Sequence, residues 1–247
     1  MDLGISGRRA AVAAASQGLG FATASALAEA GVAVAVCSRD RQRIEAAAAA
    51  IGERAVPLVV DVSTEAGGTD FVAAATAALG GVDILVCNAG GPPTGNFATT
   101  DLAEYRRALD LNCLSAIAMC HAAVPGMREA GWGRVVAITS IAVKQPIANL
   151  ILSNTARAGL TGFLKTLARE LIGTGVTVNS LLPGLHETER MRALHQDPAA
   201  SAAAIEAGTM GRPADFGQVA AFICSEHARF LNGAALQVDG GAFAGLL

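Results

Sequence analysis

The sequence predicts an α/β protein: a doubly wound parallel sheet with helices on both faces. Three observations predict it. Short apolar segments alternate with longer stretches of helical periodicity, the order that builds parallel βαβ units with right-handed crossovers. The strand segments are continuously apolar, which implies a sheet covered on both sides. The residues that follow them are rich in Gly, Ser, Asn and Asp, and such sheets bind ligands at the carboxyl ends of their strands.

Residues 10–15 (AAVAAA) read as the first strand and 20–30 as the first helix. A second strand at 32–37 (VAVAVC) precedes an alanine-rich helix at 41–51. The third strand is 55–62, followed by a helix at about 68–79. The fourth is 82–90 (VDILVCNAG), followed by one long helix from about 102 to 127. The fifth is 134–140, and residues 150–171 (LILSNTARAGLTGFLKTLAREL) carry apolar residues at helical spacing. Residues 175–184 and 235–241 supply the sixth and seventh strands. No linker or repeat divides the chain, so residues 1–247 read as one domain.

Composition excludes several functions. Charged residues are 16 % and net charge is −3, which provides no basic stripe for nucleic acid. Mean hydropathy is +0.44, but alanine inflates it, and no apolar run approaches the about 20 residues of a membrane span. The opening MDLGISGRRA lacks a signal-peptide core. Five cysteines without a CxxC pair read as reduced core thiols of a cytoplasmic protein. No metal-ligand cluster is evident.

The stretch AAASQGLG (13–20) joins the first strand to the first helix, placing Ala14, Ser16, Gln17, Gly18, Leu19 and Gly20 where a helix N-terminus can meet a phosphate. After the second strand comes CSRD (37–40). A carboxylate at Cys37 or Ser38 would hold a ribose hydroxyl; instead Arg39 follows, and a guanidinium suits a 2′-phosphate. NADP(H) is therefore favoured, with NAD(H) left open by Asp40. Asp61, Val62, Asn88, Ala89, Gly90, Pro183 and Gly184 complete the expected cofactor edge.

These stretches, with DLNCLSA (110–116), VVAITSIAV (135–143), GVTVNSLLPG (175–184) and GRPADFGQVAAFICSEHARFLNGAALQVDGG (211–241), resemble the short-chain dehydrogenase/reductase family over essentially the whole chain, and its 3-oxoacyl-acyl-carrier-protein reductase branch in particular. The resemblance implies a Rossmann fold, a nicotinamide cofactor, an acyl-thioester or other small-molecule substrate, and a homotetramer with the apolar ending GGAFAGLL near an interface. It makes Asn112 and Ser140 catalytic, puts His186 and Thr188 beside the cofactor, and places a substrate loop at about 185–210. Two departures stand out. Ala13 and Ala14 replace the Thr and first Gly of TGxxxGxG, and alanine there requires negative φ or strain. Thirteen residues after Ser140, and four further on, stand Ser153 and Arg157 where the family has Tyr and Lys.

Ser153 can donate a hydrogen bond but is a poor general acid, because its pKa lies far above that of a phenol (about 10). Arg157 is cationic and able to stabilise an oxyanion. Lys144, four residues past Ser140, is the expected replacement proton donor if it is desolvated. His186 is a second titratable group. Arg190 and Arg192 read as a solvated helix, or as contacts for an anion. The expectation is an NADP(H)-dependent oxidoreductase with an altered catalytic set. The alternatives are a silent nucleotide-binding subunit paired with an active homologue, or a non-redox lyase or isomerase.

Overall fold

The computed structural model describes residues 1–194 and 209–246. Its strands are β1 (Arg9–Val12), β2 (Ala33–Ser38), β3 (Ala55–Val59), β4 (Ile84–Cys87), β5 (Gly133–Ile138), β6 (Val176–Pro183) and β7 (Ala235–Val238). Its helices are α1 (Gly18–Glu29), α2 (Arg41–Ile51), α3 (Glu65–Leu79), α4 (Leu102–Leu109), α5 (Ser115–Glu129), α6 (Ile151–Glu170), α7 (Glu189–Leu194) and α8 (Pro213–Ile223). The strands form one parallel sheet in the order β3-β2-β1-β4-β5-β6-β7. The expected fold class is borne out. Chain order reverses beside β1, so β1 and β4 flank the switch point.

Alternation along each strand explains the two cores. Ala11, Ala35, Leu85, Val135 and Val178 face α3, α5 and α6, packing with Phe71, Met119, Met127 and Leu160. Ala10, Val34, Ile84, Val136 and Leu181 face the other way, packing with Leu27, Ile44 and Phe216. Small strand residues let the helices sit close. At Gly217 a Cβ would collide with the backbone carbonyl of Ala22, so α8 lies directly on α1.

The strands are shorter than the sequence suggested. β1 ends at Val12, β3 at Val59 and β4 at Cys87; the Gly-, Ser- and Asn-bearing residues beyond them are loops at the carboxyl edge. The long helix expected from 102 to 127 is not uniform. It is α4, a π-helical segment at Asp110–Leu114, then α5, and such bulges insert an extra residue that redirects side chains. The stretch Leu102–Glu129 is also long and apolar enough, by length and composition only, to cross a membrane, although charged residues interrupt it. Here it packs between α3 and α6. Of the expected substrate loop, residues 195–208 lie outside the described residues.

Helix starts differ in a way that matters. Asp40 caps α2, accepting from Arg43 N at 3.0 Å, and Thr64 caps α3, accepting from Gly67 N at 3.2 Å. Asp101 and Glu104 form a capping box on α4. Helix α1 has no side-chain cap and no acidic residue in its first turn, so its first N–H groups and its positive dipole end are left for a ligand.

Two predictions follow from the packing. Gly217→Ala is expected to cost about 1–3 kcal/mol in urea denaturation, because the α1 backbone must move. Arg9 holds the Asp83 carboxylate with hydrogen bonds of 2.9 and 2.7 Å. Desolvation works to raise that carboxyl, but the Arg9 hydrogen bonds and charge prevail and hold it below the usual range. The unfolded chain therefore binds this proton first, and the pair's contribution, present above about pH 4, fades as pH falls through the native value. Asp83→Asn is expected to be less stable at pH 7 and to show a shallower loss of stability on acidification.

Candidate active site

The site is assembled at the carboxyl edge of the sheet, on both sides of the switch point. After β1 the chain turns through Ala14, whose φ is +47°. Alanine in the left-handed region is strained by about 1–2 kcal/mol, so the substitution noted in the sequence carries a physical cost. Asn88, just past β4, donates from Nδ2 to the carbonyls of Ala13 at 3.3 Å and Ala14 at 3.1 Å. This ties the two central strand ends together. Gly20 packs under the same turn, where a Cβ would lie 2.7 Å from both Ala14 O and Asn88 Nδ2. Together with the uncapped start of α1, this leaves a backbone cradle with Ser16, Gln17, Gly18 and Leu19 on its rim.

On the β2 side, Ser38 accepts from Asp40 N at 3.2 Å and Arg39 is exposed. Asp40 is occupied as the α2 cap. Arg43, which the sequence reading passed over, donates to Gln17 Oε1 at 3.2 Å and lies 3.8 Å from Asp40. It brings a second guanidinium to the cradle. The signal was its position four residues after Arg39. Asp61 Oδ1 accepts from Ser63 N at 3.0 Å, and Val62 is buried in the core.

On the other side, the π-helical segment turns Asn112 inward, where its Nδ2 donates to Gly90 O at 2.9 Å. Ala89 and Gly90 thus sit between Asn88 and Asn112. The Asn112 Oδ1 is buried without a partner among the described residues. Ser140 follows β5; its Oγ accepts from Ala142 N at 3.1 Å, leaving its O–H free to donate. Arg157, 9 % exposed, sends Nη1 to the carbonyls of Ile138 at 2.8 Å and Thr139 at 3.0 Å. Helix α6 therefore anchors its cation at the end of the strand that carries Ser140. Burial, and secondarily the charge of Arg190, pull Arg157 down to about 10, so it stays charged at neutral pH. Ser153, one turn earlier, is buried and its hydroxyl makes no hydrogen bond among the described residues.

Two expectations need correction. Lys144 is exposed, its Nζ 5.7 Å from the centre of the Phe243 ring, so it lacks the burial expected of it. The His186 ring is committed to packing. It lies edge-on to Phe216 at 5.2 Å, with Nδ1 3.3 Å from Gly184 O, and desolvation holds its pKa below the usual value. Pro183 and Gly184 close β6, and Thr188 caps α7, accepting from Met191 N at 3.3 Å. The Thr188 methyl lies over Gly18. Arg190 donates to Gly91 O at 3.0 Å and Pro92 O at 2.9 Å, rather than extending into solvent. Among the described residues no group of His, Cys, Asp and Glu could hold a metal, and all five cysteines are free and buried.

The family model described as enoyl-(acyl carrier protein) reductase matches residues 13–242. The chain is 33 % identical to the 3-oxoacyl-(acyl-carrier-protein) reductase of Vibrio cholerae over 171 residues, 69 % of this chain and 70 % of that protein. Among solved structures it resembles L-sorbose reductase from Gluconobacter frateurii, complexed with NADPH and L-sorbose, at TM-score 0.93 and 31 % identity with full coverage of both chains. It also resembles 3-ketoacyl-(acyl-carrier-protein) reductase from Brucella melitensis, complexed with NADH, at TM-score 0.89 and 29 % identity, covering 96 % of this chain and 99 % of that one.

The strained turn generates a prediction. Ala14→Gly is expected to stabilise the protein by about 1 kcal/mol, raising Tm by roughly 2–4 °C in calorimetry. A lower Tm would mean that Ala14 is not strained.

Proposed function

The chain belongs to the short-chain dehydrogenase/reductase family, and from that premise we propose that it is an NADP(H)-dependent oxidoreductase interconverting a carbonyl and a secondary alcohol through an altered catalytic set. One observation carries the reading. The cation at the family's lysine position, Arg157, is buried and fixed to the β5 carbonyls beside Ser140, with the unpaired Asn112 Oδ1 close by in the fold. A solvated relic would need neither the burial nor the anchoring.

The residues present fit a dinucleotide: the uncapped α1 terminus, the cradle under Gly20 and the vacant acceptor of Asn112. When bound, the nicotinamide supplies or takes the hydride. Ser140 and Ser153 orient the substrate oxygen by hydrogen bonding, and Arg157 stabilises negative charge on it. Neither hydroxyl is acidic enough to deliver a proton efficiently near pH 7, and Arg157 holds its own, so solvent is the proton source. The preference for NADP(H) rests on the exposed Arg39 just after β2, on Arg43 at the cradle rim, and on Asp40 being engaged as a cap. The relatives' substrates support a small carbonyl compound or 3-oxoacyl thioester.

A second reading has its own support. Nη1 of Arg157 is consumed by backbone carbonyls and the phosphate turn is strained, as a silent nucleotide-binding subunit tolerates. Turnover on a panel of ketones, sugars and 3-oxoacyl thioesters separates the two. An enzyme is expected to lose about 100-fold or more in kcat in Arg157→Met and to lose its reaction in Ser153→Tyr/Arg157→Lys. A wild type inactive across the panel, with a double mutant that gains ketone reduction, would establish the silent subunit. Exposed Phe97, Leu102, Ile172 and Phe230 suit a homotetramer, or assembly with an active homologue; light scattering showing only monomer at micromolar concentration would refute the homotetramer.

NADPH is expected to bind at least about tenfold more tightly than NADH in fluorescence titration, the scale of one charge-assisted contact. Arg39→Ala and Arg43→Ala together are expected to erase the difference while leaving NADH binding unchanged.

A further inference from the structure

Arg157 and Arg190 are both held at the carboxyl ends of the neighbouring strands β4 and β5. Arg157 rises from α6 and is held at the end of β5. Arg190 reaches over from α7 to Gly91 and Pro92. Its guanidinium lies directly on Gly91, in the space a Cβ there would take. The preceding carbonyl, Gly90 O, is the one held by Asn112. Arg190 therefore covers the same short loop that Asn112 supports from the π-helical segment.

Both cations are met by neutral carbonyls, which satisfy donors without compensating charge. Among the described residues neither forms an ion pair; those described engage Arg9, Arg41, Arg43, Arg134 and Arg212. The two guanidinium groups feel each other, since Arg190 contributes to the lowering of Arg157. Arg157 is buried, and a second cation near it adds a repulsive cost that a bound anion would relieve. A neutral ketone would leave that cost in place. A carboxylate matches the planar donor fork of a guanidinium.

Resting on the oxidoreductase reading, we infer that the reacting end of the site takes a carboxylate-bearing carbonyl or hydroxy compound, held between Arg157 and Arg190. Arg190 exchanges its neutral carbonyl partners at Gly91 and Pro92 for the ligand's carboxylate. The same anionic chemistry is present in a cofactor phosphate, so the test must distinguish the two sources.

Isothermal titration of the NADP⁺-loaded protein with acetoacetate and with its neutral methyl ester reads the preference without requiring turnover. Acetoacetate is expected to bind at least about tenfold more tightly, with the advantage shrinking as salt rises. Arg190→Gln is expected to remove most of that advantage and leave the ester unaffected, while Arg190→Lys retains part of it. Arg190 is exposed as a residue, so these variants should fold, and circular dichroism checks that. Equal binding of ester and acid, or an advantage unchanged in Arg190→Gln, overturns the inference. So does a variant that loses NADPH affinity instead, which would assign Arg190 to the cofactor phosphate. A protein that prefers acetoacetate yet transfers no hydride to any carbonyl would uphold the carboxylate site and defeat the oxidoreductase reading. One that reduces neutral ketones without preferring acids would do the reverse.

Discussion

The junction between β1 and β4 is the constraint on which the rest of this protein depends. These two strands are far apart in sequence, yet they pair in parallel as Ala10 with Ile84, Ala11 with Leu85 and Val12 with Val86. At the amino edge the junction is closed by the Arg9–Asp83 fork, and at the carboxyl edge by Asn88 bridging to Ala13 and Ala14. A register slip of one residue would exchange the two cores and turn every polar edge residue to the wrong face. Because the pairing is parallel, both chains leave the sheet at the same edge. The phosphate cradle and the Asn88–Gly90 loop therefore lie side by side.

The second half of the site is built by a different device. A regular helix from 102 to 129 would give Asn112 the direction of its turn, whereas the π-helical segment points its amide at Gly90 O. Helix α6 then packs on that segment and carries Ser153 and Arg157 beneath it. Exchanging an ammonium for a guanidinium changes more than size. A lysine could swing, but Arg157 forks onto Ile138 O and Thr139 O, which couples its position to β5 and to Ser140. Electrostatic stabilisation depends on such preorganisation, because a charge already in place need not reorganise during the reaction.

The sequence by itself determined the seven strands, their parallel arrangement and the edge at which the candidate site residues collect. Continuous apolar segments can be satisfied only between two helix layers, and strand–helix alternation leaves few topologies. It also identified Ser153 and Arg157 as helix neighbours, since an i to i+4 spacing is a property of the helix itself. What it could not supply was the direction and hydrogen-bond state of individual side chains. The π-helical segment carries no pattern that differs from its flanking turns. The distance of Lys144 along the chain from Ser140 places it at the mouth of the site, but does not reveal that it is exposed. Arg190 was read as solvated because its partners, Gly91 and Pro92, lie about a hundred residues away. Only the tertiary structure decided which polar atoms are spent on neighbours and which, like the Asn112 Oδ1, remain unpaired, because hydrogen-bond satisfaction is settled between segments that meet only after the sheet has closed.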